Sequence, residues 1–324
     1  MRALVTGARG FAGGWLAGIL LEEGAEVVGF DRGRGALSGL ALHGIEDEVA
    51  EVEGDLGDRE LIARALTRHR IDTVFHLAAQ TLVGIASESP LETFESNIEG
   101  TWNLLQACRE AGIERVVVAS SDKAYGPKRE LPYREDSGLD AIYPYDVSKA
   151  AADLIARSYW HSFGLPVAVT RFANLYGGGD LNFSRLIPEA VSAVIDGRRP
   201  LLRSDGSPER DFIYVEDAAR AYLAVAAALD AGTARGEAFN AGSERPYRVA
   251  EVVELICQLS GAEVEAEIRG EGTPAGEIDR QYLDSSKIAE LCGWRPEVDL
   301  REGLSRTLDW YREHPEARAP APAR

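Results

Sequence analysis

Over the first 175 positions, apolar residues come in short continuous runs separated by stretches of helical periodicity. The runs ALVTG (3–7), EVVGFD (26–31), EVAEVEGD (48–55), TVFHLAA (73–79), RVVVASS (115–121) and PVAVTRF (166–172) read as strands. Helical patterns fill about 11–23, 58–69, 90–111 and 145–163. A strand covered by helices on both faces is apolar nearly throughout, so this alternation predicts an α/β fold with a doubly wound parallel sheet. The second half is less regular. GGGDLNF (177–183) has the residues of a loop, a helix is expected at 184–196, a strand at DFIYV (211–215), and further helices at 216–230, 248–260 and 301–313. Glu216 and Asp217 suit the start of their helix, where carboxylates meet the positive end of the dipole. The expected division is a nucleotide-binding domain at 1–175, to which 211–242 returns, and a smaller C-terminal α/β substrate lobe at 176–316. Residues 317–324, part of the Pro- and Ala-rich EHPEARAPAPAR, are expected to be a disordered tail. A ligand then belongs in the cleft between the lobes.

Charge narrows the partners. The formal net charge of −18 repels polyphosphate backbones, which argues against nucleic acid. An anionic small substrate needs arginines gathered at its site. No apolar run approaches the length of a membrane span. Cys108, Cys257 and Cys292 are far apart, and neither they nor the five histidines have metal-ligand spacing. The chain enters a strand at MRALVTG, leaving no room for a targeting segment, so a reducing, cytoplasmic setting is expected.

The glycines of TGARGFAGG give the first chemistry. Gly7, Gly10 and Gly13 follow a strand and open a helix, which permits a tight turn, close approach to a pyrophosphate and tight helix–strand packing. The domain is therefore read as a Rossmann unit. Asp31 ends the second strand, where a carboxylate accepts from the adenosine ribose hydroxyls and repels a 2′-phosphate, so NAD is expected over NADP despite the neighbouring Arg32. Asp55, in EGDL, stands where it could meet the adenine amino group or simply form a turn. Further along, YDVSK places Tyr145 and Lys149 one helical turn apart, so an ammonium could lower the phenol pKa from its ordinary value near 10 and make the tyrosine a base.

With these motifs in hand, the chain resembles the extended short-chain dehydrogenase/reductases that act as nucleotide-sugar epimerases and dehydratases. The likeness runs from TGARGFAGGWL through HLAAQ (76–80), NIEGTWNLL (97–105), SSDKAYG (120–126), YDVSK, RFANLYGGG (171–179) and RDFIYVEDAARAYL (210–223). It implies that Gly7, Gly10, Phe11, Gly13, Asp31, Asp55, Leu56, Leu77, Ala78 and Ala79 hold NAD, together with Tyr145 and Lys149. It makes Tyr145 the base at the sugar 4-hydroxyl and puts Ser121 on the 4-oxygen. Asn174, Asn182, Arg185, Arg210 and Arg280 become contacts of the nucleotide sugar, with Arg203 a further phosphate candidate. Asn97 is either a functional residue or part of the scaffold. The resemblance also implies a homodimer packed through helices near 94–111 and 145–163, the second of which is apolar all round.

Asp122 and Lys123 bear on the reaction. A 4-epimerase needs no acid or base beyond Tyr145, whereas a 4,6-dehydratase needs a base for carbon 5 and an acid for the leaving 6-hydroxyl. A protonated Asp122 and a neutral Lys123 fit those tasks if burial shifts their pKa values, provided that extended backbone keeps them from pairing. The Asp–Lys pair resembles that of the CDP-glucose 4,6-dehydratases and of some UDP-N-acetylglucosamine dehydratases; HLAAQTLV and GGGDLNFSRLIPEAV also resemble the CDP-glucose group, although this chain is somewhat shorter than that group. The alternatives are a UDP-sugar 4-epimerase and a catalytically silent NAD-binding relative.

Overall fold

The computed structural model describes residues 1–33, 37–128, 130–273 and 278–318. Among them, seven strands form one parallel sheet in the order β11-β6-β5-β4-β1-β2-β3. In chain order these are β1 (Arg2–Thr6), β2 (Glu26–Asp31), β3 (Ala50–Glu53), β4 (Thr73–His76), β5 (Arg115–Ala119), β6 (Val167–Phe172) and β11 (Ala238–Ala241). The chain builds outward from β1 in one direction and resumes at β4 in the other. A crevice therefore opens beyond the carboxyl ends of β1 and β4, where an open α/β sheet binds its ligand.

Side-chain alternation along each strand feeds two cores. Ala3 and Val5 of β1 join one cluster with Leu16, Phe75, Val117 and Val225. Leu4 joins the opposite one with Val28, Ile62, Val74, Leu104 and Val116. Helices α1 (Phe11–Glu22) and α9 (Val215–Ala231) pack together over the first face, and α3 (Arg59–Arg68) and α6 (Gly100–Ala111) over the second. A third core in the smaller lobe joins α8 (Leu186–Ile195), α10 (Val249–Ser260) and α12 (Leu300–Glu313) around Tyr176, Phe212 and Tyr214.

Several boundaries differ from the sequence reading. Strand β3 is only four residues long and forms the sheet edge, pairing on one side alone. The single helix expected at 90–111 is α5 (Pro90–Phe94), a π-helical turn (Glu95–Glu99) and α6. Residues 83–88 form α4 (Val83–Glu88) beside the crevice, an element too short to show periodicity. Asp122 and Lys123 lie not on extended backbone but in a 3₁₀ turn, Asp122–Tyr125. The packed chain runs past the expected boundary of the tail: Ala317 is buried and Arg318 pairs with Asp196, while 319–324 lie outside the described residues. No helix among the described residues is long and apolar enough to cross a membrane.

A buried ion pair fixes the element that matters most. Arg171 of β6 is wholly buried and donates to both oxygens of Asp153, at 2.7 and 3.1 Å, from α7 (Pro144–Phe163). It also donates to the hydroxyl of Tyr125, 2.8 Å away, in the turn after β5. Removing one partner of such a pair strands a charge, at about 3–5 kcal/mol. The pair thus locks α7 and the Asp122–Tyr125 turn onto the end of the sheet.

Candidate active site

The carboxyl ends of β1, β2, β4, β5 and β6 open into one cleft of about 1200 Å³ that extends between the two lobes. Its first region is the glycine loop. Gly7 has φ of 76°, a conformation side chains resist. A Cβ on Gly13 would lie 2.0 Å from the Gly7 carbonyl oxygen, so only glycine lets α1 approach β1 this closely. No side chain caps the start of α1, which leaves its first amides directed at whatever anion fills the loop. Phe11, Asp55, Leu56, Leu77, Ala78 and Ala79 line the same wall. Asp31 accepts from the Arg9 amide at 3.2 Å, and burial pushes its carboxyl up to about 6. A glycine cradle, an uncapped helix start and a carboxylate at the end of β2 together fit a dinucleotide.

Helix α7 supplies the second region. Pro144 at its first turn sets the entry, and Tyr145 and Lys149 follow on the cleft side, both buried. Burial outweighs any lowering of the Tyr145 pKa by Lys149. Burial pushes the phenol up to about 12, with the charges of Asp122 and Asp146 adding to the rise, while Arg185 and a hydrogen bond with Ser121 oppose it. The Lys149 ammonium instead donates to the Ala119 carbonyl at 2.9 Å, and burial lowers its own pKa to about 8.

Opposite α7 stands the Asp122–Tyr125 turn. Ser121 caps it, accepting from the Lys123 amide at 3.2 Å and donating to Asp122 Oδ1 at 3.0 Å. Asp122 is 3% exposed, and its Oδ2 has no partner among the described residues although the residue lines the cleft. Burial raises its pKa, against the pull of Lys123, Ser121 and Arg210. Among the described residues no ion pair joins this carboxyl to the neighbouring Lys123, although the Lys123 charge acts on it across the turn. Asp146, pushed up to about 6 by burial, completes this wall with Lys123.

A buried hydrogen-bonded chain connects the two regions. Ala78 N–H donates to Thr6 Oγ1 (3.1 Å), and Thr6 is 2.8 Å from His76 Nδ1. His76 Nε2 is 3.0 Å from Thr101 Oγ1, which donates to the Asn97 carbonyl at 2.6 Å. Because the Thr101 proton is committed to Asn97, His76 donates from Nε2. Burial, with the Lys149 charge adding to it, lowers the His76 pKa to about 3, so the ring is neutral and Nδ1 accepts from Thr6. Asn97 then accepts from the Gln80 amide at 2.7 Å and donates to the Gln80 carbonyl at 3.0 Å.

The substrate end gathers most of the expected cations. Arg185 pairs with the buried Asp180 at 3.1 Å, and Asn182 folds the same loop by accepting from Ser184. Asn174 donates to the Asp211 carbonyl at 3.1 Å. Arg210, 7% exposed, is held by the Glu209 and Asp279 carbonyls, and Arg203 reaches the Ser184 carbonyl. All of these line the cleft. Arg280 does not: its guanidinium bonds Glu209 and lies over the Tyr282 ring, because β14 (Arg280–Gln281) runs on the far side of β9 (Glu209–Arg210). Sequence reasoning overlooked His76, Thr6, Thr101 and Asp146, and Arg9 with its partner Glu51. His76 and Asp146 stand inside quoted motifs, but their partners are long-range, and no local pattern announces Glu51.

Comparison with known proteins agrees with this geometry. Residues 3–242 match the model of the NAD dependent epimerase/dehydratase family. A trifunctional UDP-glucose 4,6-dehydratase/UDP-4-keto-6-deoxy-D-glucose 3,5-epimerase/UDP-4-keto-L-rhamnose-reductase of Arabidopsis thaliana is 35% identical over 269 residues, 82% of this chain, which spans only 39% of that protein's length. The structure of DesIV, a dTDP-glucose 4,6-dehydratase from Streptomyces venezuelae with NAD bound, is 32% identical and superposes with a TM-score of 0.88 over 99% of both chains. The UDP-glucose 4-epimerase of Thermotoga maritima, with UDP-glucose, is 28% identical with a TM-score of 0.89 over 97% of this chain and 99% of that one.

Proposed function

This chain belongs to the NAD dependent epimerase/dehydratase family, and we propose that within it the protein is a nucleotide-sugar 4,6-dehydratase, with CDP-glucose as the substrate type. The observation that carries dehydration is Asp122: a buried carboxyl lining the cleft, raised in pKa, with one oxygen unpartnered. A protonated acid in that position has a proton to give, and epimerisation has no use for one.

Gly7, Gly10, Gly13 and Asp31 would hold NAD along the glycine loop, where it would supply the acceptor for hydride from sugar carbon 4 and the donor of hydride to carbon 6. Tyr145 takes the 4-hydroxyl proton, and Ser121 holds the 4-oxygen. Once carbon 4 is a ketone, the carbon 5 hydrogen is acidic, and Lys123 removes it as a proton, which it returns to carbon 5 when hydride reaches carbon 6. Asp122 gives its proton to the 6-hydroxyl, which leaves as water. Arg185, Arg203 and Arg210 meet the diphosphate with the paired donors that phosphate oxygens favour. They give a protein of net charge −18 a local attraction for an anion. The CDP preference rests on the Asp122–Lys123 pair, whereas the matched relatives named above act on dTDP- and UDP-sugars.

The test is incubation with CDP-glucose, dTDP-glucose, UDP-glucose and GDP-mannose, followed by product mass. Loss of one water supports dehydration. An unchanged mass with a new sugar establishes the second reading, a 4-epimerase, which the likeness to the Thermotoga enzyme favours. Unaltered sugars throughout would leave a silent NAD-binding relative. Within the dehydratase reading, Lys123→Ala retains ketone formation and blocks water loss; undiminished turnover overturns the role of Lys123.

Two further parts belong to this reading. The cleft divides a cofactor domain at 1–175, joined by 211–242, from a substrate lobe at 176–316. The chain forms a homodimer through α6 and α7, supported by the exposure of Trp102, Leu154 and Phe163 on these helices. A cytoplasmic setting is in keeping with three free cysteines.

A further inference from the structure

We propose that Glu51 is a second discriminator against NADP, acting by disabling Arg9. Arg9 sits in the glycine loop and lines the cleft beside Asp31, whose carboxylate accepts its backbone N–H at 3.2 Å. A phosphate on the adenosine ribose next to Asp31 would come within reach of this guanidinium. Arg32, exposed and also on the cleft wall, offers a second positive charge. By charge count alone, two arginines flanking one aspartate would favour a phosphorylated ribose.

Glu51 reverses that balance. It lies on β3, paired in register with Gly29 of β2, two residues before Asp31. Its two oxygens take one edge of the guanidinium, accepting from Nε at 2.5 Å and Nη2 at 2.8 Å. Glu46 stands 3.3 Å from the remaining Nη1. The Arg9 side chain is only 9% exposed, so its donors are spent and its charge is neutralised. Both carboxylates add negative charge beside the ribose position. A second phosphate would therefore meet Asp31 directly and Glu51 behind it, with the Arg9 guanidinium already engaged by carboxylates and only the exposed Arg32 to compensate.

The test reads binding, not turnover, and is independent of which sugar the protein processes. The full chain, stripped of cofactor, is titrated with NAD+ and with NADP+ by calorimetry. Asp31→Ser weakens NAD+ and leaves NADP+ weak. Adding Glu51→Gln tightens NADP+ about ten-fold or more relative to Asp31→Ser, and raised salt erodes the gain. Adding Arg9→Leu to that pair abolishes it. Equal NADP+ affinity with and without Glu51→Gln, or a gain that survives loss of Arg9, overturns the proposal. Should Glu51→Gln fail to fold, Arg9→Lys in the Asp31→Ser background decides. Its ammonium cannot be held by both carboxylate oxygens in parallel, so NADP+ binding must tighten there too, and no change refutes the role of Glu51.

Discussion

The side-chain nitrogen of Asn97 stands 2.9 Å from the hydroxyl of Ser148, and that hydroxyl donates to the Tyr145 carbonyl at 2.7 Å. Asn97 lies in the π-helical turn and is 2% exposed, while Ser148 is one turn along from Tyr145. Tyr145 is thus tied through its backbone to Asn97, which lies 51 positions before Ser148. Asn97→Ala strands the Gln80 amide and carbonyl and removes the donor to the Ser148 hydroxyl, which keeps its bond to the Tyr145 carbonyl. Each unsatisfied buried group costs about 1–3 kcal/mol. Displacement of Tyr145 should lower kcat by about 10- to 100-fold with KM little changed. Thermal unfolding together with steady-state kinetics checks both; a destabilised variant with full kcat would make Asn97 scaffold only.

His76 gives a pH signature. Its folded pKa is near 3 against an ordinary value of 6.5, so between these values the unfolded chain binds more protons than the folded one. Stability from this group is complete above pH 6.5 and is lost as pH falls toward 3, by on the order of 5 kcal/mol in all. Asp31 and Asp146, raised to about 6 by burial, act in the opposite sense: the folded state binds the extra protons, so their burial costs stability as pH rises through 4 to 6. Urea unfolding of wild type and His76→Gln at pH 7 and pH 5 isolates the histidine. The difference between the two proteins should narrow at pH 5; a constant difference would mean that His76 is not held neutral.

Gly13→Ala tests the cradle. The new methyl would lie 2.0 Å from a backbone oxygen, which cannot swing aside as a side chain can. Overpacking of this kind costs about 1–3 kcal/mol. NAD+ affinity should fall more than 100-fold while the fold survives, as read by calorimetry and circular dichroism.

Leu154 and Phe163 are 56% and 51% exposed on α7. Phe163 carries the Arg109 guanidinium 4.2 Å above its ring, which links α6 to the same surface. If α6 and α7 form the dimer interface, Leu154→Glu with Phe163→Glu should convert a dimer to a monomer in light scattering without lowering the unfolding temperature of the isolated subunit. A wild-type monomer at micromolar concentration would end this reading.

Much of this protein is legible in the chain itself. Continuous apolar runs mark the sheet, Gly7, Gly10 and Gly13 mark the phosphate loop, and Tyr145 and Lys149 share a helix face, because each of these signals lies within a few residues. What needed the tertiary structure is everything set by partners distant in sequence. Arg9 looks like a free cation until β3 brings Glu51 against it. Arg280 looks like a phosphate ligand until sheet order carries it away from the cleft. Tyr145 and Lys149 are one turn apart, yet burial decides their protonation, and burial is a property of the assembled core, which no local pattern encodes.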